Sequence, residues 1–253
     1  MQPKRSTLPF WSQVVDLFLI ELTNWRWSWR SIMLFTIIAP LLTMLGLSVF
    51  AKDSGLAALN YVLTGNVVLA LMFGPMEKVQ SHFLFMRTMG TLNYFATLPI
   101  RKQALVLAVL SAFFFMTLPS VIITIFVGSW LLGVPLTISP YIALVLPICT
   151  LPLAGIGAMI GTSANTPAEG STINTMFTLI MLGLGPVIIP PERLPDWLVM
   201  VGKISPATYA ASAMRQTLLG PVTIQLATDL GILVLMGLLT FWIAGRKMDW
   251  RQK

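Results

Sequence analysis

The stretch Gln103–Ala168, QALVLAVLSAFFFMTLPSVIITIFVGSWLLGVPLTISPYIALVLPICTLPLAGIGAMIGTSANTPA, contains no charged residue. A helix crosses roughly 30 Å of hydrocarbon with about 20 mostly apolar residues. This block therefore holds two spans, and Gly133-Val134-Pro135 with Ser139-Pro140 supplies the turn between them. Neutral blocks continue on either side: Ser31–Ala51, Ser54–Met76, Gly170–Pro191 and Leu230–Gly245. Together they predict six transmembrane helices, near 31–50, 57–76, 103–131, 140–161, 171–189 and 224–245.

Composition agrees. Of 253 residues 56% are hydrophobic and 10% charged, and the mean hydropathy is +0.83. A soluble domain carries about 25% charged residues, so this chain could not cover itself with a wetted surface. A soluble enzyme, a free-standing binding module, and a disordered, collagenous or disulfide-stapled chain are all excluded. The fold class is an all-α, multi-pass membrane protein. Lys4 and Arg5 resemble the start of a targeting signal, but Asp16 and Glu21 interrupt what would be its apolar core, so no removable signal is expected. Cys149, the single cysteine, lies inside a predicted span and frames no disulfide.

The basic residues fall on alternate connections. Lys4, Arg5, Arg26, Arg30, then Lys78, Arg87, Arg101, Lys102, then Arg246, Lys247, Arg251 and Lys253 lie on one side. Lys52, Arg193, Lys203 and Arg215 lie on the other. The positive-inside rule places both termini in the cytoplasm of a cell (inner or plasma) membrane. The net charge of +7 is thus mostly a topology signal. Spread over three membrane-proximal segments, it forms no nucleic-acid-binding face.

Three segments between the spans carry information. In Phe10–Arg30, Trp11, Val14, Val15, Phe18, Leu22, Trp25 and Trp29 recur at three- and four-residue steps. This predicts an N-terminal amphipathic interface helix (residues 1–30, before a six-span domain at 31–253), either an anchor or a brace for a cytoplasmic partner. Gly90 interrupts the connection 77–102, and a short amphipathic run follows, stopped by Pro99. That run either docks another protein or sinks into the headgroups. The connection 190–222 is rich in proline, yet Trp197–Val201 and Ala207–Leu219 read as short helices. They are either a re-entrant pair or interfacial caps.

No ionisable residue is predicted near a bilayer midplane. Asp229 is placed towards the outer end of the last span, Glu169 in a short cytoplasmic turn and the single histidine, His82, on the surface. This argues against an ion-coupled carrier, an intramembrane hydrolase and a metal site. Neutral polar residues (Thr36, Thr43, Asn66, Thr117, Ser120, Asn174 and others) are expected to bond back to carbonyls or to join helices. Pro40, Pro119, Pro147, Pro152 and Pro186 should bend their helices. Gly157 and Gly161 form a small-xxx-small packing face. The pair Gly155 and Gly157 lacks the strand–turn–helix setting of a dinucleotide site, and the chain has no phosphate-cradling loop.

Gly90-Thr91-Leu92, followed by Leu98-Pro99-Ile100-Arg101, resembles the "GTLE…P-x-(S)R" segment of the ABC-2 type permeases. Leu194-Pro195-x-Trp197-Leu198, Ser205-Pro206-x-Thr208-Tyr209 and Ala213-Met214-Arg215 resemble that family's "LP-x-W…NP-x-TY…A-x-R" signature. Asn93 stands where the family often has an acid, and Ser205 where it often has Asn. The resemblance implies a membrane-spanning permease subunit of an ATP-driven ABC exporter, forming its path as a dimer with a second copy or a paralogue. ATP and Mg would be bound by a separate ABC ATP-binding subunit, leaving no cofactor, metal or catalytic residue in this chain. Gly90–Pro99 would be the coupling helix, with Gly90, Thr91, Leu92, Phe95, Pro99 and Arg101 as its contacts and a second contact from Thr162–Ser171. Leu194, Pro195, Trp197, Pro206, Tyr209 and Arg215 would form an extracellular re-entrant motif. The readings that compete are a stand-alone oligomeric channel or facilitator and a non-transporting scaffold. On this reading, aspartate at Leu92 and Phe95 uncouples ATP hydrolysis from transport and leaves the bundle folded, which paired hydrolysis and transport assays would check.

Overall fold

A computed structural model describes residues 9–51 and 55–247, with side chains 24–35, 50–51 and 247 outside the description. Among the described residues the chain is helical with no strand. The helices are α1 (Phe10–Ala51), α2 (Leu56–Leu71), α3 (Glu77–Thr88), α4 (Thr91–Thr97), α5 (Lys102–Leu132), α6 (Ile142–Ser163), α7 (Pro167–Gly183), α8 (Asp196–Gly202), α9 (Pro206–Leu219) and α10 (Ile224–Lys247). Four stretches of the described residues are long and apolar enough to cross a membrane: Leu56–Thr88, Lys102–Leu132, Ile142–Ser163 and Ile224–Arg246. A shorter apolar stretch, Thr36–Val49, lies within α1.

The long helices alternate in direction between two ends. At one end α4 meets the start of α1, and Arg87 reaches the α6–α7 turn. There Gly245 of α10 also lies against Gln103 of α5. At the other end the backbone N–H groups of Thr137 and Ser139 donate to Leu218 and Thr217 of α9 at 2.8 Å each. Of the described basic residues, Lys78, Arg87, Arg101, Lys102 and Arg246 belong to the α4 end, and Arg193, Lys203 and Arg215 to the α9 end.

Three expectations change. The interface helix and the first span are one helix, so the 30/31 boundary falls inside α1. Neither Gly nor Pro interrupts it before Pro40, and its first part buries against protein. Val14 and Leu17 join a core cluster with Val79, Phe83, Leu92 and Leu105, while Trp11 and Val15 of the expected stripe face outward. The fifth predicted span, 171–189, is α7, which begins earlier and ends at Gly183. Gly183, Gly185 and Pro186 deprive its last turn of helix formers, and Val187 and Ile188 instead cross α2 against Gly65, where a Cβ would strike the Val187 carbonyl oxygen at 2.7 Å. Finally, the second span does not stop at 76. A five-residue π-helical segment, Met72–Met76, carries α2 directly into α3. Pro75 has no N–H and its ring clashes with the carbonyl four residues back, so widening one turn lets the helix continue.

The Gly157/Gly161 face packs α6 onto this α2–α3 rod. A Cβ on Gly157 would collide with the Met76 carbonyl, and one on Gly161 would lie 2.5 Å from the Gln80 oxygen. Several polar side chains bond as expected, whereas Asn174 Oδ1 is buried with no partner among the described residues. Thr36 donates to Ser120 across α1 and α5 at 2.8 Å, and Thr43 donates to Asn66 across α1 and α2. Thr117, Thr124 and Thr150 bond back to carbonyls four residues earlier. Gly157→Ala is expected to lower stability by about 1–3 kcal/mol through overpacking. Gly46→Ala, in α1 with nothing within 4 Å, should cost nothing. Thermal unfolding of both variants in detergent checks the contrast.

Candidate functional site: the α4 end

Gly90 ends α3 in the left-handed region, φ 72°, where a residue with a Cβ would be strained. The chain turns into α4, and Leu98 before Pro99 is extended (φ −85°, ψ 149°). α4 thus occupies the predicted coupling segment. Its seven residues have two unlike faces. Leu92 is 4% and Phe95 9% exposed, anchored in the cluster that holds Val14, Phe83 and Leu105. Tyr94 is 63% exposed, and at the end of α3 Phe85 is 57% and Met89 65% exposed. Leu92 and Phe95 therefore fasten α4 to its own bundle, while Phe85, Met89, Tyr94 and Leu98 stay exposed. Aspartate at Leu92 or Phe95 would bury a charge and unseat α4, so it cannot leave the local fold intact as the sequence suggested.

Polar contacts that sequence reasoning missed lock the surrounding parts. Arg87 donates from Nη1 to the Thr162 and Ala164 carbonyls at 3.1 and 2.8 Å, and Nη2 lies 3.5 Å from Asn165 Oδ1. It thus joins the end of α3 to the α6–α7 turn, the predicted second contact. That turn is capped: Glu169 N–H donates to Thr166 Oγ1 at 3.2 Å, and Glu169 Oε2 accepts from Asn165 N–H at 2.9 Å. Glu169 accordingly sits in the first turn of α7. His82, expected on the surface, is half-buried. Its Nε2 lies 3.1 Å from buried Glu21 of α1, and its ring lies 5.3 Å from that of Phe113. Arg101 lies outside α4 as the N-cap of α5, and its backbone N–H donates to Gln13 Oε1 of α1 at 2.9 Å. The sequence signal for these ties was polar residues (Gln13 and Glu21) on the flank of an apolar stripe.

At the opposite end, the second motif begins just after the 3-10 turn Pro191–Arg193 and runs through α8 and α9. Leu194 and Pro195 lead into α8, where Trp197 is exposed, whereas Pro206 starts α9 and is buried. Tyr209 Oη donates to the Lys203 carbonyl at 2.7 Å. Ser205, in the family's Asn position, makes no side-chain cap, and its Oγ is buried without a partner. α9 buries Ala207, Ala210, Ala211, Ala213, Met214 and Leu218 against α2, α6 and α10. Arg215 stacks on Tyr61 of α2, 3.5 Å from the ring centroid. Asp229, predicted near the outer end of the last span, is buried and accepts from Ser212 Oγ at 2.6 Å and Gln216 Nε2 at 3.3 Å.

Among the described residues, an all-helical bundle with four stretches long and apolar enough to cross a membrane and many exposed apolar side chains has the form of a membrane domain. The ABC-2 type transporter model matches residues 12–219, and the chain belongs to that family. It is a permease subunit, the membrane part of a transporter. No curated protein matches the chain. Among the described residues no group of three or more His, Cys, Asp or Glu could hold a metal ion.

Arg87→Gln is expected to free the α6–α7 turn. Hydrogen bonds from a charged donor contribute about 1.5–3 kcal/mol, so amide exchange at Ala164 and Asn165 should quicken about tenfold, read by exchange mass spectrometry.

Proposed function

We propose that this chain is the membrane subunit of an ATP-driven exporter and that a separate ABC ATP-binding subunit docks on the α4 end. The exposed Phe85, Met89, Tyr94 and Leu98 patch carries this reading. These side chains flank a helix whose other face is fastened into the bundle, so a push on α4 reaches α1, α3 and α5 through Leu92 and Phe95. ATP and Mg act on that partner, and nucleotide-driven closure moves α4 because it binds one arrangement of the bundle better than the other. The α6–α7 turn, tied to α3 by Arg87, provides the second foothold.

In this reading α1, α2–α3, α5, α6, α7 and α10 are six spans of the cell membrane, with both termini and the α4 end in the cytoplasm. The excess of basic residues at the α4 end supports that orientation. The α8–α9 pair is re-entrant from outside, a placement supported by the all-round packing of α9 among the spans. The interior of one copy is filled: Leu71, Met72, Leu153 and Met214 are fully buried in its centre. A path for cargo therefore forms along a face shared with a second permease copy or paralogue.

Tyr94→Asp and Met89→Asp should each cut copurification of the ATP-binding subunit about tenfold or more, as for an interface anchor, with the melting temperature of the chain little changed. Leu92→Asp should lower the melting temperature itself. Undiminished copurification of Tyr94→Asp would remove the patch from the interface.

A further inference from the structure

Arg215 and Asp229 are opposite charges in one neighbourhood that are not paired with each other. The guanidinium plane lies on the Tyr61 ring at 3.5 Å. Its Nε and Nη2 are buried and have no partner among the described residues. These two nitrogens form one edge of the guanidinium, the fork that fits a carboxylate with two parallel bonds. Asp229 takes both its hydrogen bonds, from Ser212 and Gln216, on Oδ2. Ser212, Arg215 and Gln216 stand three and four residues apart on α9 and so share a face. Gln216 is itself held at its other end, its Oε1 accepting from Thr223 Oγ1 at 2.8 Å and from Thr223 N–H at 3.2 Å.

A buried fork left empty is costly. The carboxylate that could fill it, Asp229 of α10, is already bonded to Ser212 and Gln216, which share the α9 face with Arg215. We infer that Arg215 is a two-position latch: on the Tyr61 ring it clasps α9 to α2, and when α2 and α9 separate it turns its fork onto Asp229 of α10. The two positions have comparable free energies for a physical reason. One offers a cation–π contact and leaves donors unsatisfied, whereas the other satisfies the donors and gives up the contact. Such an element can be tipped by a distant event, because neither position is far below the other. The latch goes beyond the docking reading and is read on the chain alone, so its failure leaves that reading untouched.

The test places spin labels on Leu56→Cys and Ile204→Cys, both at exposed sites, in the full chain reconstituted in lipid nanodiscs. The native Cys149 is buried and stays unlabelled. Tyr61→Leu should raise the population with α2 and α9 apart about tenfold, the equivalent of losing one desolvated cation–π contact. Adding Asp229→Asn, which keeps an acceptor for Ser212 and Gln216 but removes the charge, should return the distribution towards wild type. Tyr61→Phe, which keeps the ring, should match wild type. The latch is overturned if Tyr61→Leu leaves the distances unmoved, if Asp229→Asn fails to reverse its effect, or if Tyr61→Phe behaves as Tyr61→Leu does.

Discussion

Hydrocarbon offers no hydrogen bonds, so every polar group taken into the membrane must find its partner inside the protein. The rest of this structure follows from that constraint. Backbone groups are satisfied by winding into helices, and threonines turn back onto their own carbonyls. Where a helix must hold Pro75, a π turn keeps α2 and α3 one rod. Where two helices must touch without a hydrophobic drive to bring them together, glycines let backbones close up, as Gly157 and Gly161 do against Met76 and Gln80. Thr36 with Ser120, and Thr43 with Asn66, add the few polar bonds between α1 and its neighbours.

The same constraint sorts the two ends. At the α4 end, contacts between distant parts of the chain are polar and directional: Gln13 with Arg101, Glu21 with His82, Arg87 with Thr162 and Ala164. They make α1, α3, α5 and the α6–α7 turn a connected frame around one short helix. Displacement of α4 is therefore shared with several long helices and cannot be absorbed locally. At the α9 end, α9 packs among α2, α6 and α10, and two of the charged groups there, Arg215 and Asp229, are held by an aromatic ring and neutral side chains. In the proposed reading, the tied α4 end receives the push and the α9 end opens.

Much of the architecture was legible from charge-free length alone. α5 and α6 fall within two residues of their predicted limits, and α10 starts where predicted, because each is bounded by charge, Gly or Pro. The break at Gly90, the stop at Pro99 and the short helices around Trp197 and Ala207 were also readable from turn chemistry. What the sequence could not show was tertiary. Periodicity located an apolar face on Phe10–Arg30, of which the side chains of Trp25 and Trp29 lie outside the described residues, but could not say that the part packed on protein centres on Val14 and Leu17. Leu92 and Tyr94 look equally apolar in sequence. Only packing makes one an anchor and the other an exposed contact. Pairings such as Arg87 with Ala164 and Arg215 with Tyr61 join residues far apart in the chain and leave no local signal.

In the proposed function, the face presented by Tyr94 meets an ATP-binding subunit. A photoreactive amino acid in place of Tyr94, irradiated in native membranes, tests it most directly, with the same residue in place of the exposed Trp130 as the control. The account predicts a position-94 adduct containing an ABC ATP-binding subunit, altered in yield by nucleotide and missing at position 130. Adducts from position 94 with lipid alone, or only with another copy of this chain, would contradict it.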